Sequence, residues 1–340
     1  MDFSRADTCN DKSVGHSVLF TVFTPTYNRA HTLHRVYDSL CAQTLRDFEW
    51  IVIDDGSTDG TREVVASWAK IADFPIRYLR QDHLGKHIAH NLAVREARGH
   101  IFAPLDTDDA LLPESLERIR TLWNEIPVSD RALFSGIGGL CCDQHGKIIG
   151  DRFPKSPLDI TMRELIYGLG VRGEKWGVTR TDVFRQYFFP ELAGTQFVPE
   201  GLVGLQMSRA YKRRYVNEVF RVYYRFENEE PGKNLTDRAN IASNAAGRLY
   251  YYRWLLNNEL EYFWHSPVSF AKAAVMLPIL ARSSNQSFRY LLGSLESAVA
   301  RMLVLLVFPV GLTIYAFSQI CCSLSKRGGR NRPHKTLPHA

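Results

Sequence analysis

Six cysteines in 340 residues, with Cys141 beside Cys142 and Cys321 beside Cys322, supply no Cys-x-x-Cys pair. That spacing removes the usual structural-zinc and dithiol redox chemistries and leaves reduced thiols as the expectation. The first sixteen residues are polar and charged and lack the apolar stretch of a secretory signal, so the body of the chain is expected to be cytoplasmic. No Gly-x-Gly-x-x-Gly follows the first apolar run, which argues against a dinucleotide-binding oxidoreductase. The formal net charge is +6, but no long Lys/Arg run with interleaved aromatics precedes the C-terminal tail, so nucleic acid is not an expected partner. Internal repeats and low-complexity tracts are also missing.

What is present is the composition of a chain that folds, with 45% hydrophobic and 23% charged residues. From about residue 18 to 105, apolar runs alternate with helical patterns, the mark of a parallel sheet built from β-α units. Strands are expected over 19–24, 48–53, 76–80 and 101–105. Leu33, Val36, Tyr37, Leu40 and Cys41 recur at i, i+3, i+4, i+7 and i+8 and put one apolar stripe on a helix. Val64, Val65 and Trp68 face inward from a second helix, and a third over 88–97 is stopped by Gly99. A fourth starts near Pro113 and turns Leu116, Ile119 and Trp123 inward. A helix over 201–211 and a strand over 215–224 close this α/β domain, and 227–233, with Pro231 and Gly232, reads as a linker.

The expected organisation is therefore a polar extension over 1–17, an α/β domain over 18–228, a helical region over 229–325 and a basic tail over 326–340. The helical region holds an apolar run at 302–324 without a formal charge, long enough to span a bilayer but interrupted by Pro309 and Gly311. Spanning, lying in the membrane face and folding into a core hairpin are all open to such a run. Basic residues on both sides, Arg282, Arg289 and Arg301 before it and the tail after it, favour a helix lying on the cytoplasmic face of a membrane.

Two acidic clusters follow buried strands. Asp54 and Asp55 end the second strand, and Asp106, Asp108 and Asp109 follow the fourth. Ligands of open parallel sheets bind at the carboxyl ends of the strands, so one fold can bring both clusters to one crevice. Crowded carboxylates repel unless a cation or hydroxyls intervene. An Asp-x-Asp loop suits Mn²⁺ or Mg²⁺, which complete their shells with substrate phosphates and water. Lys86, in the turn Gly85-Lys86-His87 at a helix start, is a candidate contact for the phosphates, and His87 and His90 are read as phosphate or sugar contacts before zinc ligands.

Several motifs occur in order: Phe23-Thr24-Pro25-Thr26-Tyr27-Asn28-Arg29, then Gln43-Thr44, then Ile53-Asp54-Asp55-Gly56-Ser57-Thr58-Asp59-Gly60, then Gly85-Lys86-His87 with Asn91, then Leu105-Asp106-Thr107-Asp108-Asp109. With them the chain resembles the glycosyltransferase family 2 group. The resemblance implies a GT-A fold, a Rossmann-like mixed sheet flanked by helices, here with a helical C-terminal extension. It also implies inverting, metal-dependent transfer of a sugar from a nucleotide-sugar, with a UDP-sugar the expected donor, to a glycan or lipid-linked acceptor, as in surface polysaccharide or glycolipid assembly. Carried over by residue, it implies that Pro25, Thr26 and Tyr27 line the nucleotide pocket, Asp55 meets the base or ribose and Asp54 supports that turn. Asp106 would approach the ribose and the water shell of the metal, Asp108 would bind the metal, and Asp109 would cap the loop. Family members carry Glu-Asp at the start of a later helix. Here the stretch is Pro199-Glu200-Gly201, which leaves Glu200 as the expected catalytic base. A nonenzymatic nucleotide-sugar-binding protein that keeps the fold is the alternative.

Overall fold

The computed structural model describes residues 18–224 and 244–328, the last helix by its backbone alone at 312 and from 315 onward. The expected extension over 1–17 and linker over 227–233 lie outside the described residues. The chain divides into two compact units, Met1–Asn244 and Ala245–Ala340.

The first unit is built on a sheet of nine strands. β1 (Phe20–Thr26), β2 (Phe48–Asp54), β3 (Ile76–Arg80) and β4 (Ile101–Pro104) pair in parallel in the order β3-β2-β1-β4. Between them run α1 (Ala30–Cys41), α2 (Thr61–Ile71) and α3 (Lys86–Glu96). Every residue of β2 is buried, as expected of a parallel strand covered on both faces, and this is why residues 50–53 read as a continuous apolar run. Glu49, the buried acid inside the strand, is satisfied: Oε1 accepts from the Thr21 hydroxyl at 2.7 Å and the Arg98 amide at 2.8 Å, and Oε2 lies 3.3 Å from Arg77. The stripe on α1 packs as its spacing predicts, with Leu33, Val36 and Leu40 buried and Tyr37 stacked on Trp68 of α2 at 4.5 Å.

Beyond β4 the sheet turns mixed. After β5 (Asp109–Leu111) and α4 (Ser115–Asn124) come β6 (Phe134–Cys142), the short β7 (Leu158–Ile160), β8 (Lys175–Arg180), α5 (Thr181–Phe184), α6 (Gly201–Met207) and β9 (Lys212–Tyr223). The strand order continues β4-β8-β6-β9-β5, with β7 also on β9. β8 runs antiparallel to β4 and β6, whereas β9 is parallel to β6 and antiparallel to β5. The helix expected over 201–211 ends at Met207, and the strand expected from 215 already begins at Lys212.

The second unit is helical: α7 (Ala245–Asn258), α8 (Pro267–Ser283), α9 (Phe288–Gly293) and α10 (Ala298–Gly328). α10 packs closely on α8, where a Cβ at Gly311 would lie 2.8 Å from Pro278 Cγ. Ala300 and Val304 are buried on that side, while Met302, Leu305, Leu306 and Val310 are exposed. No helix among the described residues is long and apolar enough to cross a membrane. The apolar run at 302–324 falls in part on side chains outside the described residues.

Candidate active site

Thr26 lies opposite Asp54, and Phe23 opposite Pro104, because β1, β2 and β4 are parallel and in register. The two acidic clusters therefore leave the sheet along one carboxyl edge, where open α/β sheets hold ligands. The loops after β1 and β2 are laced together. Asn28, at φ 52°, donates its amide to the Ser57 hydroxyl and accepts from the Thr58 amide, both at 2.8 Å. Asp54 Oδ1 accepts from the Ser57 amide at 2.8 Å and Oδ2 from the Tyr78 hydroxyl, so this carboxylate holds its turn closed.

Asp55 is buried and almost fully engaged. It accepts from Gln81 Nε2 at 2.6 Å, the Leu84 amide at 2.7 Å and the Gly85 amide at 3.0 Å. Those bonds clamp the 81–85 loop to the end of β2. The loop in turn sets the His83 ring 4.1 Å from that of Tyr27, which is 43% exposed. The two rings lie against each other with a 31° tilt, and the exposed Tyr27 offers an aromatic face on which a planar ring can stack. Pro25 and Thr26 end β1 beneath it. Thr26 is buried, with no hydrogen-bond partner for its hydroxyl among the described residues.

Gly85 makes the next step possible. It has φ +98°, and a Cβ there would collide with the Gln196 carbonyl, to which Lys86 donates its amide at 3.1 Å. Farther along α3, Asn91 grips Phe189 through two bonds of 2.9 Å, one to its carbonyl and one from its amide. α3 thereby fastens the segment that leads to Glu200. The Lys86 ammonium bridges the result, 2.7 Å from Asp106 Oδ1 and 2.6 Å from Glu200 Oε1. Burial alone would lower the Lys86 pKa, but Asp106 and then Glu200 outweigh it and hold it raised. Burial would raise Asp106, and Lys86 reverses that as well. Glu200 precedes α6 without a side-chain cap bond, so its carboxylate faces Lys86 and does not close the helix end.

Asp108 differs from Asp106. Its pKa is raised by burial first and by Asp106 second. A carboxylate in that state binds a cation favourably, because the cation relieves both penalties. Among the described residues no group of three or more His, Cys, Asp or Glu side chains is placed to hold a metal. Two carboxylates still fit Mn²⁺ or Mg²⁺, which take one or two from the protein and the rest from phosphates and water. Asp109 opens β5 and does not cap the loop; it is buried and salt-bridged to Arg221 Nη1 at 3.0 Å.

The two histidines are corrected by the structure. His87 is 2% exposed and its pKa is lowered by burial. His90 sits among the rings of Phe23, Phe102, Phe184 and Phe189 at 5.0–5.6 Å, and burial pushes it down to about 3. His87 is a neutral packing residue away from the cavity, whereas His90, neutral as well, still lines it beside Lys86. Conversely, Arg221, Trp176 and Arg213 were not legible as site residues. Together with Lys86, Asp106 and Glu200 they line a cavity of about 380 Å³. Long-range strand pairing gathers them, and no local motif marks them.

Comparison with known proteins agrees with this geometry. Residues 21–188 match the family described as Glycosyl transferase family 2. This segment is a glycosyltransferase family 2 domain. The family 2 domain is similar to an uncharacterized glycosyltransferase of Rickettsia prowazekii, 28% identical over 157 residues, which are 45% of this chain and 48% of that protein. The chain thus spans about half the length of that curated relative. In three dimensions it is similar to TarS 1-349 of S. aureus, solved in complex with UDP, at TM-score 0.52 and 16% identity over 95% of this chain and 94% of the other. It is also similar to the mannosyltransferase of Pyrobaculum calidifontis in complex with GDP-Man and Mn²⁺, at TM-score 0.50 and 18% identity over 92% and 85% of the two chains. These structures share the GT-A fold with the family 2 domain, a mixed sheet flanked by helices.

Proposed function

We propose that this chain transfers a sugar from a nucleotide-sugar, a UDP-sugar in the first instance, to an acceptor hydroxyl with inversion at the anomeric carbon. The observation that carries the reading is the Asp106–Lys86–Glu200 bridge, which sets the acidic edge for a diphosphate and a carboxylate for the acceptor on two sides of one cavity. The exposed Tyr27 and the His83 ring would take the base, with Asp55 and Asp54 holding the loops that present them and Pro25 and Thr26 forming the floor. Asp108, assisted by Asp106, would hold Mn²⁺ or Mg²⁺; when bound, the metal supplies countercharge to the departing nucleoside diphosphate. The Mn²⁺ and GDP-Man of the Pyrobaculum enzyme and the UDP of TarS support this donor chemistry.

Glu200 would remove the proton of the acceptor hydroxyl as that oxygen bonds to the anomeric carbon and the bond to the diphosphate breaks. A glycan or lipid-linked acceptor, as in surface polysaccharide or glycolipid assembly, suits the exposed apolar face of α10. Met302, Leu305, Leu306 and Val310 are exposed, as are Arg301 on the same helix and Arg289 on α9, a composition that suits a helix on an anionic lipid surface. Calorimetry of the full chain with UDP, GDP, CDP and dTDP, each with Mn²⁺ and with chelator, tests the donor site. Metal-dependent binding of one nucleotide is expected. No binding of any by folded protein would sink the reading and favour a noncatalytic role.

A further inference from the structure

Arg213 lies on β9 in an unusual setting. Its Cδ packs where a Cβ at Gly138 would come within 3.2 Å, and its Nη1 where a Cβ at Gly177 would come within 3.1 Å. Gly138 and Gly177 are register partners on β6 and β8, so two adjacent strands are bare where the guanidinium lies. Its one hydrogen bond among the described residues runs from Nη2 to the Thr179 hydroxyl at 2.6 Å. That leaves most of the five N–H donors of the group unused.

Two other cations around the same cavity are paired. Lys86 faces Asp106 and Glu200, and Arg221 faces Asp109 and Glu174. Arg214, the next residue and on the other face of the strand, forks onto Asp159 at 2.9 and 2.7 Å. Arg213 has no carboxylate within ion-pair distance among the described residues, and desolvation lowers its pKa. A guanidinium does not escape such a site by losing its proton, so the charge stays and a partner is missing. Lys175, which also lines the cavity, donates to the backbone carbonyls of Arg172 at 2.9 Å and Glu174 at 3.3 Å and has no carboxylate partner either. Met162, Leu165 and Tyr215 close the apolar wall beside them.

We propose that Arg213, aided by Lys175, binds an anionic substituent, a carboxylate or a phosphate ester, on the substrate that occupies this cavity; this rests on the glycosyltransferase reading. The anion belongs either to the transferred sugar, as in a uronic acid, or to the acceptor. Both sources present a planar or tetrahedral oxyanion to a forked donor in a low-dielectric wall.

The test is calorimetry on the full chain with Mn²⁺. UDP-glucuronate against UDP-glucose probes the donor source. With UDP bound, glycerol 3-phosphate against glycerol and glucuronate against glucose probe the acceptor source. At least one charged probe should bind tenfold or more tighter than its neutral counterpart. Arg213→Gln should erase that preference and Arg213→Lys should keep part of it, while both hold UDP within about twofold of wild type. Equal binding within every pair by wild type overturns the proposal without any variant, so a misfolded variant cannot rescue it. Preference that survives Arg213→Gln overturns it as well. Loss of UDP itself in a folded Arg213→Gln overturns it by assigning the guanidinium to the donor diphosphate. Wild type that binds UDP without charge preference removes this proposal alone, whereas wild type that binds no nucleotide removes the donor reading beneath it.

Discussion

The Lys86 ammonium sits 2.6 Å from the Glu200 carboxylate, and Glu200 is otherwise 62% exposed to the cavity mouth and solvent. The pairing fixes the direction of a side chain that would turn freely on its own. It also gives the carboxylate a cation to leave when an acceptor hydroxyl arrives.

Glu200→Gln keeps shape and hydrogen bonding but removes the ability to accept a proton. Sugar transfer should fall by roughly 10²–10⁴-fold, the usual contribution of a general base, with UDP affinity unchanged. Nucleoside diphosphate release and calorimetry on the same preparation separate the two. Lost UDP binding would make Glu200 a structural partner of Lys86 and leave the base unassigned.

Asp108→Asn should reduce UDP affinity in Mn²⁺ to the level seen with chelator. The raised pKa of Asp108 adds a pH signature. A metal binds the deprotonated carboxylate, so protons compete, and the competition begins at higher pH than for an ordinary aspartate. Metal-dependent UDP binding by wild type should therefore weaken as pH falls, and the Asn variant should show a flat profile. An Asn variant that retains metal-dependent binding would move the metal elsewhere.

Much of this site was legible in the sequence because its pieces are local. β1 and β2 read as strands since both are rich in β-branched and aromatic residues, with residues 50–53 of β2 continuously apolar, and the turns at Asn28 and Ser57 carry their own hydrogen-bonding side chains. The bridge from Lys86 to Glu200 was not legible. It depends on Gly85 packing against Gln196 and Asn91 gripping Phe189, contacts between segments far apart in the chain. β6 escaped notice because its glycines, Gly136, Gly138 and Gly139, weaken strand patterning. A Cβ at each would collide with residues of β8 or β9, the strands that flank β6 in the sheet. Arg213 and Arg221 look like solvent-facing residues in a charged strand until the sheet closes over them.

Arg221→Met should destabilise the first unit, by up to about 3–5 kcal/mol where Asp109 is ionised and by less where it is protonated, because it removes the cation 3.0 Å from that buried carboxyl. Burial already raises the Asp109 pKa against the pull of Arg221, and Asp106 and Asp108 raise it further. With the folded value above the unfolded one, the folded state holds the proton more tightly, so stability declines as pH rises toward the folded pKa. The melting-temperature gap between variant and wild type should therefore be wider near about pH 8 than near about pH 5. A gap independent of pH would mean that the loss comes from packing around the guanidinium and not from its charge.

α10 carries apolar residues on two sides, and among the described residues only one of them is buried. Ala300, Val304 and Gly311 are buried on one side, whereas Met302, Leu305, Leu306 and Val310 are exposed, Leu306 to 78%. Burying one leucine in an apolar phase is worth about 2 kcal/mol, so Leu306→Glu should lower recovery on lipid vesicles by about tenfold or more. Arg289 and Arg301 are exposed in the same helical unit and should add a preference for anionic lipid that fades with salt. Vesicle sedimentation with anionic and with zwitterionic lipid, at low and high salt, reads both effects, and circular dichroism confirms that the variant stays helical. Equal recovery of Leu306→Glu and wild type on anionic vesicles would remove the membrane from the reading. The outward leucines would then have to meet protein, and the polysaccharide acceptor would lose its lipid-side support while the donor chemistry at Lys86 stood unchanged.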